Sequence, residues 1–358
     1  MECFGESDDD DEGGDDGAVQ RDMSCGVCCF HSNTEASLLA HVRNSPISPA
    51  DSSSSSSSST STTEEAVTMH CCSRDVLRAI DDFCISRHWM MHVGPEKGDI
   101  LVGALKSSIL AKMMELAPPP PSSSSSSDNV PFVAVELGTY CGYASILMGR
   151  TMREMMMMAS SSNGLDCHLF TTEINVEYAE IAKEMIRLSR MEDLISVHEI
   201  SYDGHDTDIV VTIGDALARS SSRNIHKATS IDFLFIDHDK DAYRSDLCKL
   251  EASGMIRRGT KVVADNVLFA NIDDYVGYVQ RKEELGIAKT RTIPCHVEYS
   301  VDDEESSETV QQYQDGVGKC DCLDRFAFQI IIYCTDLIII SLFTFVGHVE
   351  ITDYLRDP

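Results

Sequence analysis

The 358-residue sequence lacks basic charge: 29 lysines and arginines stand against 59 aspartates and glutamates, which gives a formal net charge of -30. Part of the acidic excess lies in the run at residues 6–16, which we interpret as a solvated tail. Because phosphate backbones and anionic lipids repel such a chain, we expect neither a nucleic-acid nor a membrane-surface partner.

The sequence also lacks a targeting signal and a disulfide framework. It does not open on a basic region followed by an apolar run, so we expect no signal peptide. Its 14 cysteines are scattered without a regular spacing, which favours reduced thiols in a cytoplasmic protein. Cys25, Cys28 and His41 approach zinc-finger spacing, but the second histidine is missing, so we interpret them as a chance cluster.

Low-complexity segments divide the chain into three parts. Residues 1–70, rich in serine, aspartate and glycine, are expected to be disordered because they bury too little apolar surface. Residues 71–300 are expected to form the catalytic domain, with a flexible Ser/Pro-rich insert at residues 117–128. Residues 301–358 form a divergent C-terminal segment.

The C-terminal segment holds an acidic insert and then a long apolar stretch at residues 325–348. Asp336, near the middle of this stretch, would be costly inside a bilayer, which argues against a membrane span without excluding one. A β-hairpin that turns at residues 335–336, or a stretch that never packs, fits the sequence equally well. The sequence leaves these three interpretations open.

Strand-like and helical patterns alternate through the middle of the chain. Five apolar runs predict strands: FVAVEL, HLFTTEI, VVTIGD, IDFLFID and KVVADNV. Helical patterns lie between several of them, so we predict an α/β protein with a parallel sheet and helices on both faces. Such a sheet binds its ligand at the carboxyl ends of its strands.

A glycine-bearing turn follows the first predicted strand, in VELGTYCGYAS. Gly138 and Gly142 would let the backbone turn tightly and approach a ligand. Their G-x-x-x-G spacing differs from that of dinucleotide enzymes, and a purely structural turn remains an alternative. Glu173, at the end of the next strand, is placed to accept hydrogen bonds from both ribose hydroxyls. The glycine turn and Glu173 together indicate a nucleoside ligand. S-Adenosylmethionine is favoured because the turn lacks the spacing of diphosphate-binding sites.

Two later strands each end in an acidic residue. Asp237 closes the run FLFI, and Asp265 closes KVVA and is followed by Asn266. Either aspartate alone is better explained as a helix cap. Both together, with Asn266 and a nearby lysine, favour a metal site, and these oxygen donors suit Mg²⁺. Lys240 lies three residues beyond Asp237, and a lysine near a divalent cation can lose its proton and act as a base.

Six stretches in order make the chain from Val76 to Tyr299 resemble the animal-type catechol O-methyltransferase family, whose members use Mg²⁺ and S-adenosylmethionine. The matching stretches are AIDDFCISRHWMMHVGPEKGDI, ELGTYCGYAS, TTEIN, FIDHDKDAY, GMIRRGTKVVADNV and VEYS. The resemblance implies a Rossmann-like class I methyltransferase fold, with a mostly parallel seven-stranded sheet and helices on both faces.

The resemblance also implies a role for each matching residue. Asp237, Asp265 and Asn266 fall on the metal ligands, and Lys240 falls on the general base. The substrate contacts would be Trp89, Lys240, Asn266 and Glu298, with Glu298 also catalytic. Cofactor contacts are implied at Met91, Val93, Glu136, Gly138, Tyr140, Gly142, Ser145, Glu173 and His238.

The expected function is methyl transfer from S-adenosylmethionine to one hydroxyl of a Mg²⁺-chelated catechol, by a monomeric enzyme with a small-molecule substrate. A caffeoyl-coenzyme A type methyltransferase is an alternative, as is a catalytically idle S-adenosylmethionine-binding protein. The idle alternative draws on Asp239, which replaces a family tryptophan, on Ala144, which replaces a serine, and on the unusual C-terminal segment. A further departure is Ala216-Leu217, which replaces a serine-glutamine pair.

Overall fold

A computed structural model describes eight segments of the chain: residues 33–46, 61–115, 131–159, 165–201, 209–219, 228–267, 272–296 and 346–358. Their seven strands form one sheet in the order β3-β2-β1-β4-β5-β7-β6. The strands are β1 Phe132–Leu137, β2 Cys167–Glu173, β3 Ile195–Glu199, β4 Phe233–Ile236, β5 Lys261–Asp265, β6 Ala288–His296 and β7 Val346–Tyr354. β1 to β5 run parallel, whereas β7 pairs antiparallel with both β5 and β6. This is the mostly parallel seven-stranded sheet that the resemblance implied.

The helices of the described residues cover both faces of the sheet. They are α1 Thr34–Asn44, α2 Ser61–Ser86, α3 Gly94–Glu115, α4 Tyr143–Ala159, α5 Val176–Leu188, α6 Ile209–Arg219, α7 Tyr243–Ala252 and α8 Asp273–Glu284. Phe132 and Ala134 of β1 pack into the core formed with α1 to α5, whereas the alternate residues Val133 and Val135 pack into the core formed with α6 to α8. A strand buried on both faces explains the unbroken apolar run FVAVEL.

One predicted strand is a helix. The run VVTIGD lies within α6, and the third strand is instead β3. Ile209, Ile213, Ala216 and Leu217 are buried in α6, at the i, i+4, i+7, i+8 spacing of a helix face. The prediction gave too much weight to β-branched residues and too little to this period. Ala216 and Leu217, which replace the serine-glutamine pair of the family pattern, are buried on this helix face.

The segment predicted to be a disordered tail contains α1 and the start of α2. Leu38 and Val42 of α1 are fully buried in the core that also holds Phe83. The imidazole of His41 lies 5.5 Å from the Phe83 ring, while Cys25 and Cys28 lie outside the described residues. The amphipathic run TEASLLAHV was the available signal for α1, and the surrounding polar sequence obscured it.

The sheet also extends beyond the predicted domain end at residue 300, because β7 lies at residues 346–354. Most of the long apolar stretch, and its predicted turn at residues 335–336, lie outside the described residues. Across the described part of the chain, no helix combines the length and apolarity needed to cross a membrane.

Candidate active site

The glycine turn after β1 lies directly against the end of β4. Gly138 has a φ of 95°, and a Cβ built on it would lie 2.2 Å from the carbonyl oxygen of Asp237. Only glycine satisfies both the backbone angle and this close approach. Gly142 also needs a left-handed backbone, with a φ of 88°. The predicted cofactor turn and the predicted metal edge are therefore neighbours.

Glu173 fixes this turn from the end of β2. Its carboxylate accepts hydrogen bonds from the backbone N–H of Tyr140 (2.7 Å), Ile174 (3.0 Å) and Asn175 (2.9 Å). Tyr140 has a left-handed φ of 47°, a costly conformation that the bond to Glu173 helps to hold. Since a carboxylate offers about four lone-pair directions, Glu173 keeps capacity for a further donor.

Glu136 and Ser145 form a buried pair beneath the turn. The Ser145 hydroxyl donates to Oε2 of Glu136, whose side chain is completely buried. Burial raises the pKa of Glu136 to about 8, although its hydrogen bonds to Ser145 and Thr171 act in the opposite direction. This glutamate is therefore a neutral acid at pH 7, able to donate as well as accept.

Lys240 and Asp237 meet at the end of β4. Lys240 Nζ donates to Asp237 Oδ1 at 2.9 Å and to the hydroxyl oxygen of Tyr243 at 2.5 Å. The Tyr243 hydroxyl in turn donates to the backbone carbonyl of Asp265 at 3.2 Å. Burial, followed by the charges of Asp237 and Asp265, raises the pKa of Tyr243 well above its usual value. Sequence reasoning missed Tyr243, although it ends the matching stretch FIDHDKDAY.

Asp265 and Asn266 close the neighbouring strand, β5. Asp265 is buried, and Asn266 takes a left-handed φ of 58°, which asparagine tolerates better than most residues. Lys97 of α3 donates to Asp265 Oδ2 at 3.0 Å and to Asn266 Oδ1 at 2.8 Å. Sequence reasoning missed Lys97 as well, because nothing in GPEKGDI shows which way this lysine points.

The loop between α2 and α3 brings three further predicted residues towards the turn. Trp89 is half-buried, Met91 is exposed and Val93 is buried. Between the last two lies His92, whose ring centroid is 5.2 Å from that of Tyr140 and 5.6 Å from that of Tyr143. Burial lowers the pKa of His92 to about 3, against the opposing charge of Asp237. His92 is therefore neutral at pH 7.

The remaining residues that the resemblance places at the site are His238, Asp239 and Glu298. His238 bonds through Nε2 to Asp246 Oδ2 on α7 at 2.9 Å and stacks on the ring of Tyr243. Asp239, at the position of the family tryptophan, accepts a bond from the backbone N–H of Asp241. Glu298 lies outside the described residues. The predicted roles of all the site residues stay predictions.

Known proteins support the sequence resemblance. Residues 132–283 match the family model described as O-methyltransferase. Catechol O-methyltransferase of Bos taurus is 28% identical over 207 residues, which cover 58% of this chain and 60% of that protein. Catechol O-methyltransferase B of Danio rerio is 29% identical over 239 residues, 66% of this chain and 72% of that protein. The chain thus spans only about 60% of the length of the bovine relative.

Two solved O-methyltransferase structures are distantly similar to this chain. The O-methyltransferase of Bacillus cereus gives a TM-score of 0.36 at 13% identity, covering 77% of this chain and 97% of its own. The O-methyltransferase TomG of Streptomyces achromogenes gives 0.40 at 16% identity, with coverages of 80% and 89%. At these TM-scores, neither superposition adds to what the sheet order shows.

Residues 132–283 of the chain are thus similar to the O-methyltransferase family. The resemblance of the chain to the catechol O-methyltransferases is confirmed.

Proposed function

We propose that this protein is an S-adenosylmethionine-dependent O-methyltransferase that methylates one hydroxyl of a Mg²⁺-chelated catechol. The proposal is carried by the placement of Asp237, Lys240, Asp265 and Asn266 at two adjoining strand ends beside the glycine turn. The similarity to catechol O-methyltransferases supports the same activity.

The oxygen donors at the strand ends fit a hard divalent cation. Asp237, Asp265 and Asn266 supply two carboxylates and one amide oxygen, the donor types that Mg²⁺ prefers. Among the described residues, no group of three or more histidines, cysteines, aspartates or glutamates could hold a metal, and the proposed set has two carboxylates with the amide of Asn266 as its third donor. Lys240 and Lys97 each pair with one of the carboxylates. When bound, Mg²⁺ would polarise the two catechol oxygens and favour loss of one proton.

The turn and its surroundings would hold the cofactor. At the end of β2, the carboxylate of Glu173 would accept hydrogen bonds from the ribose hydroxyls. The loop that carries Met91 and Val93 contacts the turn, because the ring of His92 lies 5.2 Å from the ring of Tyr140. S-Adenosylmethionine would supply an electrophilic methyl group on a sulfonium. Neutral Glu136 avoids placing a second fixed negative charge beneath the turn, since Glu173 lies close to it.

Lys240 is the base in this proposal. Its amine would accept the proton of the attacking hydroxyl, so that the oxygen could take the methyl group that the sulfonium would supply. Tyr243 holds the lysine by a 2.5 Å hydrogen bond and is itself anchored to the backbone of β5. Because Tyr243 is fully buried, it restricts Lys240 to one position beside Asp237.

Substrate selection would fall to Trp89 and Glu298. Trp89 lies half-buried on the loop before α3, where an aromatic ring can contact a flat substrate. Glu298 follows β6 by two residues and would accept a hydrogen bond from the second catechol hydroxyl.

The test is methyl transfer from S-adenosylmethionine to catechol by the full chain, with Mg²⁺ and then with a chelator. Turnover should require the metal, and it should fall by at least about a hundredfold in Asp265→Ala and Lys240→Met. Asp241→Asn, which changes an exposed acid in the same loop, is the matched control and should keep the wild-type rate.

The outcomes separate the alternatives. Turnover that persists with chelator would contradict the metal role, and a full rate in Lys240→Met would contradict the base. Binding of S-adenosylmethionine without methyl transfer to catechol or to a caffeoyl thioester would indicate the idle binding protein instead.

A further inference from the structure

A second lysine, Lys97, contacts two of the proposed metal ligands. Lys97 lies in the first turn of α3, and its side chain is only 1% exposed. Its ammonium group contacts both Asp265 Oδ2 and Asn266 Oδ1, at 3.0 and 2.8 Å. We propose that Lys97 is a built-in counter-cation, which holds the two β5 ligands in the metal-free protein and opposes the divalent cation that binds them. This inference rests on the proposed function.

Burial makes this role necessary in the metal-free protein. Asp265 is 2% exposed, and an uncompensated carboxylate at that depth would be strongly unfavourable. Lys97 supplies the opposite charge, and its second hydrogen bond ties Asn266 in its left-handed conformation. The ligand pair is thus formed before any metal arrives.

The same burial makes Lys97 an obstacle to the metal. Lys240 pairs with Asp237, but its side chain is 28% exposed and has a path to solvent. Lys97 has no such path, so its positive charge stays beside any cation that Asp265 and Asn266 bind. Two positive charges that share the same ligand atoms repel each other strongly where water cannot screen them. Lys97 therefore weakens metal binding, which keeps the ion exchangeable.

The chain offers a matched control on the same helix. Lys112 of α3 is also buried, at 7% exposed, and pairs with Asp232 at 3.0 Å. Asp232 precedes β4, so this pair lies at the opposite end of that strand from Asp237. Loss of Lys112 removes a buried lysine from α3 without touching the proposed ligands.

The experiment titrates Mn²⁺ into the full-length protein by electron paramagnetic resonance and records thermal unfolding with and without Mg²⁺. Lys97→Met and the neutral hydrogen-bond donor Lys97→Gln should unfold at lower temperature than wild type without metal. Both should bind Mn²⁺ at least about tenfold more tightly, and both should gain more thermal stability from Mg²⁺ than wild type gains. Lys112→Met should lose stability but keep the wild-type Kd for Mn²⁺ within about twofold.

Equal or weaker Mn²⁺ binding in both Lys97 variants would overturn the counter-cation role while leaving the proposed metal site intact. Failure of both variants to fold even at saturating Mg²⁺ would also overturn it, because the metal should replace the missing charge. Wild-type protein that binds no Mn²⁺ would instead refute the metal site, and with it the proposed function on which this inference depends.

Discussion

At the scale of single residues, burial shifts the pKa values of two ionisable side chains of the site. Glu136 is neutral because burial raises its pKa to about 8. His92 is neutral because burial lowers its pKa to about 3. Asp265, on the metal side, forms a buried ion pair with Lys97 at 3.0 Å. Two of the buried groups on the cofactor side are therefore neutral at pH 7, whereas the metal side holds a buried ion pair.

Glu136 should make the stability of the protein depend on pH. Between about pH 4.5 and 8 the folded state holds a proton on Glu136 that the unfolded chain has lost, so its contribution to stability falls as pH rises. The slope is about 1.4 kcal/mol per pH unit. Replacement by the neutral isostere in Glu136→Gln removes this slope. Relative to wild type, the free energy of unfolding of the variant should therefore rise by about 1.4 kcal/mol from pH 6 to pH 7.

Urea denaturation of the cofactor-free protein at the two pH values measures this difference. His92 contributes with the opposite sign and chiefly below pH 6.5, because there only the unfolded chain gains a proton. That contribution is common to both proteins and cancels in the comparison. The same stability difference at pH 6 and pH 7 would show that Glu136 is ionised in the folded state.

At the scale of secondary-structure elements, α1 connects the N-terminal part of the chain to the cofactor turn. Glu35 of α1 accepts a hydrogen bond from the Tyr140 hydroxyl at 2.8 Å. Arg43 at the other end of the helix pairs with Glu184 of α5 at 2.9 Å. Tyr140 is thus held at its backbone by Glu173 and at its ring by α1. The helix supports the turn in addition to covering apolar surface.

Leu38→Ala should reveal how much α1 contributes to stability. Leu38 is completely buried between α1 and α2, so the substitution leaves a cavity and should cost about 2–5 kcal/mol in the free energy of unfolding. Leu39, next to it, is only partly buried, and Leu39→Ala should cost about 1 kcal/mol or less. Chemical denaturation of the two variants gives the comparison. Equal costs would mean that α1 does not pack as described.

At the scale of the whole molecule, β7 completes the sheet. It lies between β5 and β6. Its pairing with β5 runs from Asp265↔Val349 to Lys261↔Asp353, and its pairing with β6 runs from His296↔Val346 to Ala288↔Tyr354. Without β7, β6 would have no partner strand and β5 would present an open edge. The long segment 297–345 separates β6 and β7 in sequence, although their paired ends adjoin.

Two deletions should therefore have opposite effects. A chain that ends at residue 345 should not fold cooperatively, since both ladders of β7 are lost. A chain in which a short glycine-serine linker replaces residues 303–341 should keep a cooperative thermal transition, because His296 and Val346 already pair across a hairpin. Calorimetry distinguishes the two. A folded truncated chain would show that β7 is dispensable.

Strand ends were the most predictable part of the site, and side-chain directions the least. Asp237, Asp265 and Asn266 follow apolar runs, and the parallel sheet brings the ends of adjoining strands together, so their proximity follows from pattern alone. Lys97, Glu35 and His92 reach the site from the helices and loop before β1. Their contributions depend on helix packing angles, which local sequence does not encode. β3 was missed because the neighbouring α6 is richer in β-branched residues.

The position of β7 also constrains the order of events while the chain is being synthesised. β5 is complete at Asp265, but the strand that pairs with its outer edge begins only at Val346. At ordinary translation rates the growing chain carries this bare edge for on the order of ten seconds. An unpaired strand edge of this kind can pair with the strands of neighbouring nascent chains on the same mRNA. We therefore expect polysome-bound chains to depend on chaperones until the final strand emerges.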